Sequence, residues 1–129
     1  MAVEAQVYEA LRAAIQRQLD GMRVPTSVLD ADEHQGVGAQ HVQLGLSARY
    51  TITERAGSDS LTAYRADTRA VAHTASDTRE LRRRVEVALR DAFVTVGDEQ
   101  TSPIERETDD RPAPDNGMFS ALTTWTFTI

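Results

Sequence analysis

The sequence predicts an α+β domain: an antiparallel sheet of four to five strands with two helices packed on one face, in the order α-β-β-β-α-β-β. From Val42 to Ile52 every even position is apolar (Val42, Leu44, Leu46, Ala48, Tyr50, Ile52), while Gln43, Gly45, Ser47, Arg49 and Thr51 alternate with them. A strict period of two describes a strand with one buried and one wet face. The same alternation ends the sequence on odd positions: Phe119, Ala121, Thr123, Trp125, Phe127 and Ile129. Two stretches with helical spacing of their apolar residues flank this block.

The elements follow in order. Val3, Val7, Leu11, Ala14, Ile15 and Leu19 form one apolar stripe, so residues 3–20 are expected to be a helix, with Gly21 as its stop. Residues 22–29 are expected to form a first strand, in which Pro25 points to an edge or an irregularity. Residues 30–40 are acidic and turn-rich and read as a loop. The long strand covers about 41–53, with Gly45 as the place for a bulge or bend. RAGSDS at 55–60 is the next turn. Residues 61–73 form a third strand, with Tyr64, Ala66, Thr68, Ala70 and Ala72 on one face and Arg65, Asp67, Arg69 and His73 on the other. Asp77 and Glu80 have capping-box spacing, which starts the second helix at Asp77. Its buried stripe is Leu81, Val85, Ala88, Leu89 and Ala92, and its end lies near Phe93. Residues 97–117 are polar, hold Pro103, Pro112, Pro114 and Gly117, and leave room for a short strand at 102–108. The last strand is 118–129.

Composition narrows the function. A chain of 129 residues reads as one domain, 1–129, able to bury about two-thirds of its unfolded surface. With no cysteine, disulfides, thiolate metal sites and a cysteine nucleophile are excluded. No apolar stretch approaches the roughly 20 residues that span a membrane, and MAVEAQVYEALR lacks the pattern of a signal peptide. A cytoplasmic site of synthesis is expected. A net charge of −6 argues against general nucleic-acid binding. All 14 basic residues are arginine. A GC-rich coding genome accounts for that, and so does a use for bidentate ion pairs at interfaces.

No catalytic signature appears. There is no G-x-S-x-G elbow, and GVG at 36–38 opens no helix. His34, His41 and His73 match no metal-ligand spacing, so no metal and no cofactor are expected. Asp98/Glu99 and Asp109/Asp110 read as solubilising loop charges. Arg82, Arg83 and Arg84, with Arg79 one turn earlier, fan over the exposed side of the second helix. They read either as a solvated face with pairs such as Arg82–Glu86, or as a surface meeting acidic residues of a neighbouring subunit. Loops 54–60 and 97–117 add Arg55, Asp59, Asp109, Asp110 and Arg111 as interface candidates; a loop as long as the second is usually functional or disordered.

Taken in order, four segments resemble the tail-terminator (tail-completion, or head–tail joining) proteins of long-tailed bacteriophages. They are the helix VYEALRAAIQRQL, HVQLG at 41–45, the strand–helix unit YRADTRAVAHTASDTRELRRRVEVALRDA, and the tail DRPAPDNGMFSALTTWTFTI. The resemblance implies a non-enzymatic structural protein of the virion, at the tail–neck junction. It implies a homo-oligomeric ring, commonly a hexamer, that caps the tail tube and meets the connector or stopper of the neck. A head–tail stopper or adaptor is the neighbouring reading. A small cellular α+β ligand-binding domain or enzyme is the reading from another class.

Overall fold

A computed structural model describes residues 3–33, 38–53 and 60–129. Helix α1 spans Glu4–Leu19 and α2 spans Ala75–Leu89. The strands are β1 (Ser27–Asp30), β2 (His41–Thr53), β3 (Ser60–Ala72), β4 (Thr95–Val96), β5 (Glu99–Gln100), β6 (Glu105–Asp109), β7 (Ala113–Asp115) and β8 (Met118–Thr128). The main sheet runs β1-β2-β3-β8-β6, with β7 also paired to β8, and β4–β5 form a separate hairpin. The α+β class and the order of the major elements are those the sequence predicts.

The sheet is mixed, and not wholly antiparallel as expected. β1 runs parallel to β2, from Ser27 beside His41 to Asp30 beside Leu44. Sequential strands pair antiparallel when a tight turn joins them, whereas a parallel pair needs a longer crossover. Residues 31–40 separate the two strands, far more than a two-residue hairpin needs and close to the length of a short crossover. The strand count also exceeds four to five, because the segment at 97–117 holds β5, β6 and β7, the last two paired to β8. The expected short strand at 102–108 is β6. At Asn116 (φ 50) and Gly117 (φ 81) the chain makes the two-residue turn that joins β7 to β8. Both positions need the left-handed region, which Asn-Gly supplies at low cost.

One face of the sheet carries the core. Pairing aligns Leu44 with Thr68 and Thr123, Leu46 with Ala66 and Trp125, and Ala48 with Tyr64 and Phe127. Tyr64 and Phe127 stack, with ring centroids 5.6 Å apart. The helices cover this face with Val7, Leu11, Ile15 and Leu19 from α1 and Leu81, Val85 and Leu89 from α2. Val3 is not part of the stripe: it is the N-cap of α1 and is 55% exposed. Trp125 is 1% exposed and belongs to the same cluster as Leu81, Val85 and Leu89. Its indole N–H donates to the Thr68 hydroxyl at 3.0 Å, which satisfies the one polar group of the ring.

Local details depart from the sequence reading where side chains compete for one backbone group. α2 starts at Ala75, and its cap is Thr74, whose hydroxyl accepts the Asp77 N–H at 3.1 Å. Asp77 therefore lies in the first turn, where its charge suits the helix dipole. α2 ends at Leu89, ahead of the expected Phe93, because Asp91 turns left-handed (φ 59) and gives its N–H to the Ile104 carbonyl. α1 likewise ends at Leu19, with Asp20 as its C-cap, just short of Gly21.

Gly45 is not the bulge. It pairs regularly with Asp67, and the register shifts between Ala48 and Tyr50, which pair with Tyr64 and Ala63. Arg49 is the additional residue. Beyond it Tyr50 shares a face with Ala63, away from the helices, and is 58% exposed. The even-numbered apolar face of β2 thus ends at Ala48.

Replacing Trp125 by alanine should lower stability by about 3–5 kcal/mol, the range for deleting a packed aromatic ring. Thr68→Val keeps the shape but strands the indole N–H, and should cost about 1–3 kcal/mol. Denaturant unfolding of the two variants checks both, and the wild-type protein should show blue-shifted tryptophan emission.

Candidate functional site

The exposed surface is organised by charge. Along α2 the stripe Arg79, Arg82, Glu86 and Arg90 recurs at helical spacing and borders β6. Its side chains reach that strand. The Arg82 guanidinium donates to the Asp110 carbonyl at 2.6 Å and lies 3.4 Å from the Asp109 carboxylate. Glu86 accepts from Arg106 of β6 at 2.7 Å and from Arg90 at 2.9 Å. The pair expected between Arg82 and Glu86 is therefore replaced by pairs across to β6. The register of β6 explains this: Arg106 pairs with Trp125 and Asp109 with Thr123, so both stand on the helix side of the sheet.

The remaining arginines of the cluster also have partners within the chain. Glu80 accepts from Arg83 at 2.7 and 3.0 Å and from Arg84 at 3.2 Å. Arg84 further donates to the Gln18 carbonyl at 2.9 Å, which ties α2 to the last turn of α1. Hydrogen bonding from Arg83, followed by the charges of both arginines, holds the Glu80 carboxyl below its ordinary value. Arg79 and Arg111 are exposed. Arg55 and Asp59 lie outside the described residues, as does His34. The structure thus brings Arg82 together with Asp109 and Asp110 where α2 borders β6, with Arg79 exposed on the same side of the helix, while Arg84 faces α1 and Arg83 pairs with Glu80 between them.

A second charged feature lies on the opposite flank, between α1 and β1. Glu4, Ala5, Tyr8, Glu9, Asp30, Asp32 and Leu46 line a groove of about 420 Å³. Glu4, Tyr8 and Glu9 reach it because α1 turns that side away from its buried stripe. Asp30 closes β1, and its carboxylate accepts the Asp32 N–H at 2.8 Å. The phenol of Tyr8 is pushed up to about 12, first by burial and then by the charges of Asp30 and Glu9. Arg12, 3.0 Å from Glu9, offsets part of this negative field by a direct pair. From sequence Asp30 and Asp32 read only as part of an acidic loop. The signal for the groove is the i, i+4 spacing of Glu4 and Tyr8, with Glu9 beside them, off the apolar stripe.

The sheet face away from the helices is polar. Arg65 lies 3.4 Å from Asp67 and 3.7 Å from Glu107, and Arg69 donates to the Ser120 hydroxyl at 3.2 Å. Here His41 is 2% exposed, and its Nδ1 lies 2.7 Å from the Ala39 carbonyl. Among the described residues no group of three or more His, Cys, Asp or Glu side chains is placed to hold a metal ion, and no helix is long and apolar enough to cross a membrane.

Solved structures share this architecture. One is a chain from the virion of a native gene transfer agent particle, 16% identical, with a TM-score of 0.67 and 98% of each chain covered. Another solved structure is 9% identical, with a TM-score of 0.59, over 98% of this chain and 94% of the other. No protein-family model matches the sequence, and no curated protein matches it either.

Because its folded value is lowered, Glu80 contributes stability above its unfolded value, and that contribution is lost as pH falls through the lower folded value. Titration followed by carboxyl NMR should place Glu80 below the ordinary 4.5. Arg83→Gln should move the midpoint back up, since the Arg83 hydrogen bond is the largest cause of the shift.

Proposed function

We propose that this protein is a structural component of a phage-like virion, a tail terminator that caps the tail tube and joins it to the neck. The observation that carries the reading is the end-to-end fold likeness to a chain of a gene transfer agent virion, at a TM-score of 0.67. The resemblance of the four sequence segments to tail terminators supports the finer assignment. The surface is in keeping with it: among the described residues two charged flanks stand out.

A tube of stacked rings presents the same surface after every addition, and a heterologous contact that does not close keeps growing. Growth stops when a component binds that end and presents something different outward. A rigid sheet domain with distinct ends suits this role. The sheet and helices form a ring, a hexamer by the family resemblance, and the loops at either end meet the tube and the neck connector. No cofactor or chemistry is assigned to it.

The experiment is deletion of the gene from a genome that produces the particle, followed by electron microscopy. The expected result is filled heads separate from tails, with some tails longer than normal. Heads that lose their DNA, beside tails of normal length, would favour a head–tail stopper. Uniform, joined tails would remove the assignment.

A further inference from the structure

The main sheet ends in two edges that meet no further strand among the described residues. On one flank β1 covers β2 only from His41 to Leu44, which leaves the outer edge of β2 open from Gly45 onward. On the other flank β6 is the last strand, and it is exposed along its length. Open edges present unpaired backbone N–H and C=O groups and attract further chain. Proteins manage that hazard with bulges and charges, and both edges here have them. The bulge in β2 falls at Arg49 and the bulge in β6 at Glu107, so the two extra residues carry opposite charge.

The flank beside β6 carries both signs, with Glu80, Glu86, Glu105, Glu107 and Asp109 among its arginines, and its exposed arginines are what set it apart from the other flank. Leu46, at the start of the open β2 edge, borders the groove walled by Glu4, Glu9, Asp30 and Asp32. Beside β6 runs the arginine stripe of α2. Within it Arg90 keeps 53% of its side chain exposed despite its bond to Glu86, and Arg79 is exposed. We propose that these flanks are two halves of one contact between copies of this chain. The α2 arginine stripe of one copy seats against the acidic groove of the next, with β6 alongside the open β2 edge.

The contact rests on the reading of the protein as a homo-oligomer and adds to it the surfaces that meet. The halves lie at opposite ends of the sheet, so a copy held on one side leaves the other side free. Such a contact is heterologous and repeats until a rotation closes it. The Tyr8 phenol at the groove is raised first by burial and then by the charge of Asp30. Bulges in both edges make a poor template for an arbitrary strand and leave the charged side chains to set the register.

Charge exchange tests it. Glu9→Arg with Asp32→Arg reverses one half, and Arg79→Glu with Arg90→Glu reverses the other. Analytical ultracentrifugation at low salt should show the wild type as an oligomer and each double variant as a monomer. An equimolar mixture of the two variants should regain the wild-type mass, because every contact then joins matched charges. Circular dichroism confirms that both are folded. If either fails to fold, Glu9→Gln with Asp32→Asn and Arg79→Gln with Arg90→Gln replace them, and each should weaken the oligomer. Either double variant keeping the wild-type mass alone, or a mixture of folded variants staying dissociated, overturns the pairing while leaving the ring intact. A wild-type chain that stays monomeric at low and high salt overturns the ring reading and this contact with it.

Discussion

The core is arranged around one mismatch in size. Trp125, the largest side chain in the protein, pairs across the strands with Ala66, among the smallest. Ala66 is fully buried, and the ring extends along β3 to bond the Thr68 hydroxyl. A larger residue at 66 would occupy the space the indole crosses, and overpacking of this kind costs about 1–3 kcal/mol. Ala70 and Ala72 continue the small row on the central strand, which lets α2 approach the sheet closely. From Ala66 to Ala72 the central strand is thus held down in volume so that its neighbours and the helices can supply the bulk, while Tyr64 nearer its start stacks on Phe127.

This dependence explains what was legible in the sequence. The alternations of β2, β3 and β8 and the stripes of both helices record burial on one face, and burial is written residue by residue. The direction of β1 is not. It depends on where residues 31–40 take the chain, and DADEHQGVGAQ specifies turns without specifying a crossover. The bulge falls at Arg49 and not at Gly45, because a strand's register answers to its partners, here Tyr64 and Ala63. Asn116-Gly117 does carry a local signal for the β7–β8 hairpin, since that dipeptide favours two positive φ angles. It is obscured by the prolines around it, at 112 and 114.

The charged surface was legible only in part, for a related reason. The arginine cluster on α2 is visible as a cluster, but its partners come from elements distant in sequence. Asp109 and Arg106 reach α2 through the pairing of β6 with β8, and Arg84 meets the Gln18 carbonyl through helix packing. The acidic groove combines α1 with the end of β1, so neither segment alone announces it. Exposed pairs of this kind contribute little stability, typically below about 1 kcal/mol each. Their placement therefore adds little to holding the fold.

The single extra residue in β2 has a consequence of another kind. Along a regular strand every outward side chain is tied in phase to an inward one, so a small insertion or deletion exchanges the two faces and the core is lost. The Arg49 bulge breaks that phase between Ala48, which lines up with Tyr64, and Tyr50, which lines up with Ala63. Changes of length beyond it leave the alignment of Leu44 and Leu46 with β3 untouched. The far end of β3 is held to β8 by two backbone bonds between Thr62 and Ile129, so the freedom the bulge gives belongs to β2 beyond Arg49, while the body of the sheet stays under the constraint of its core.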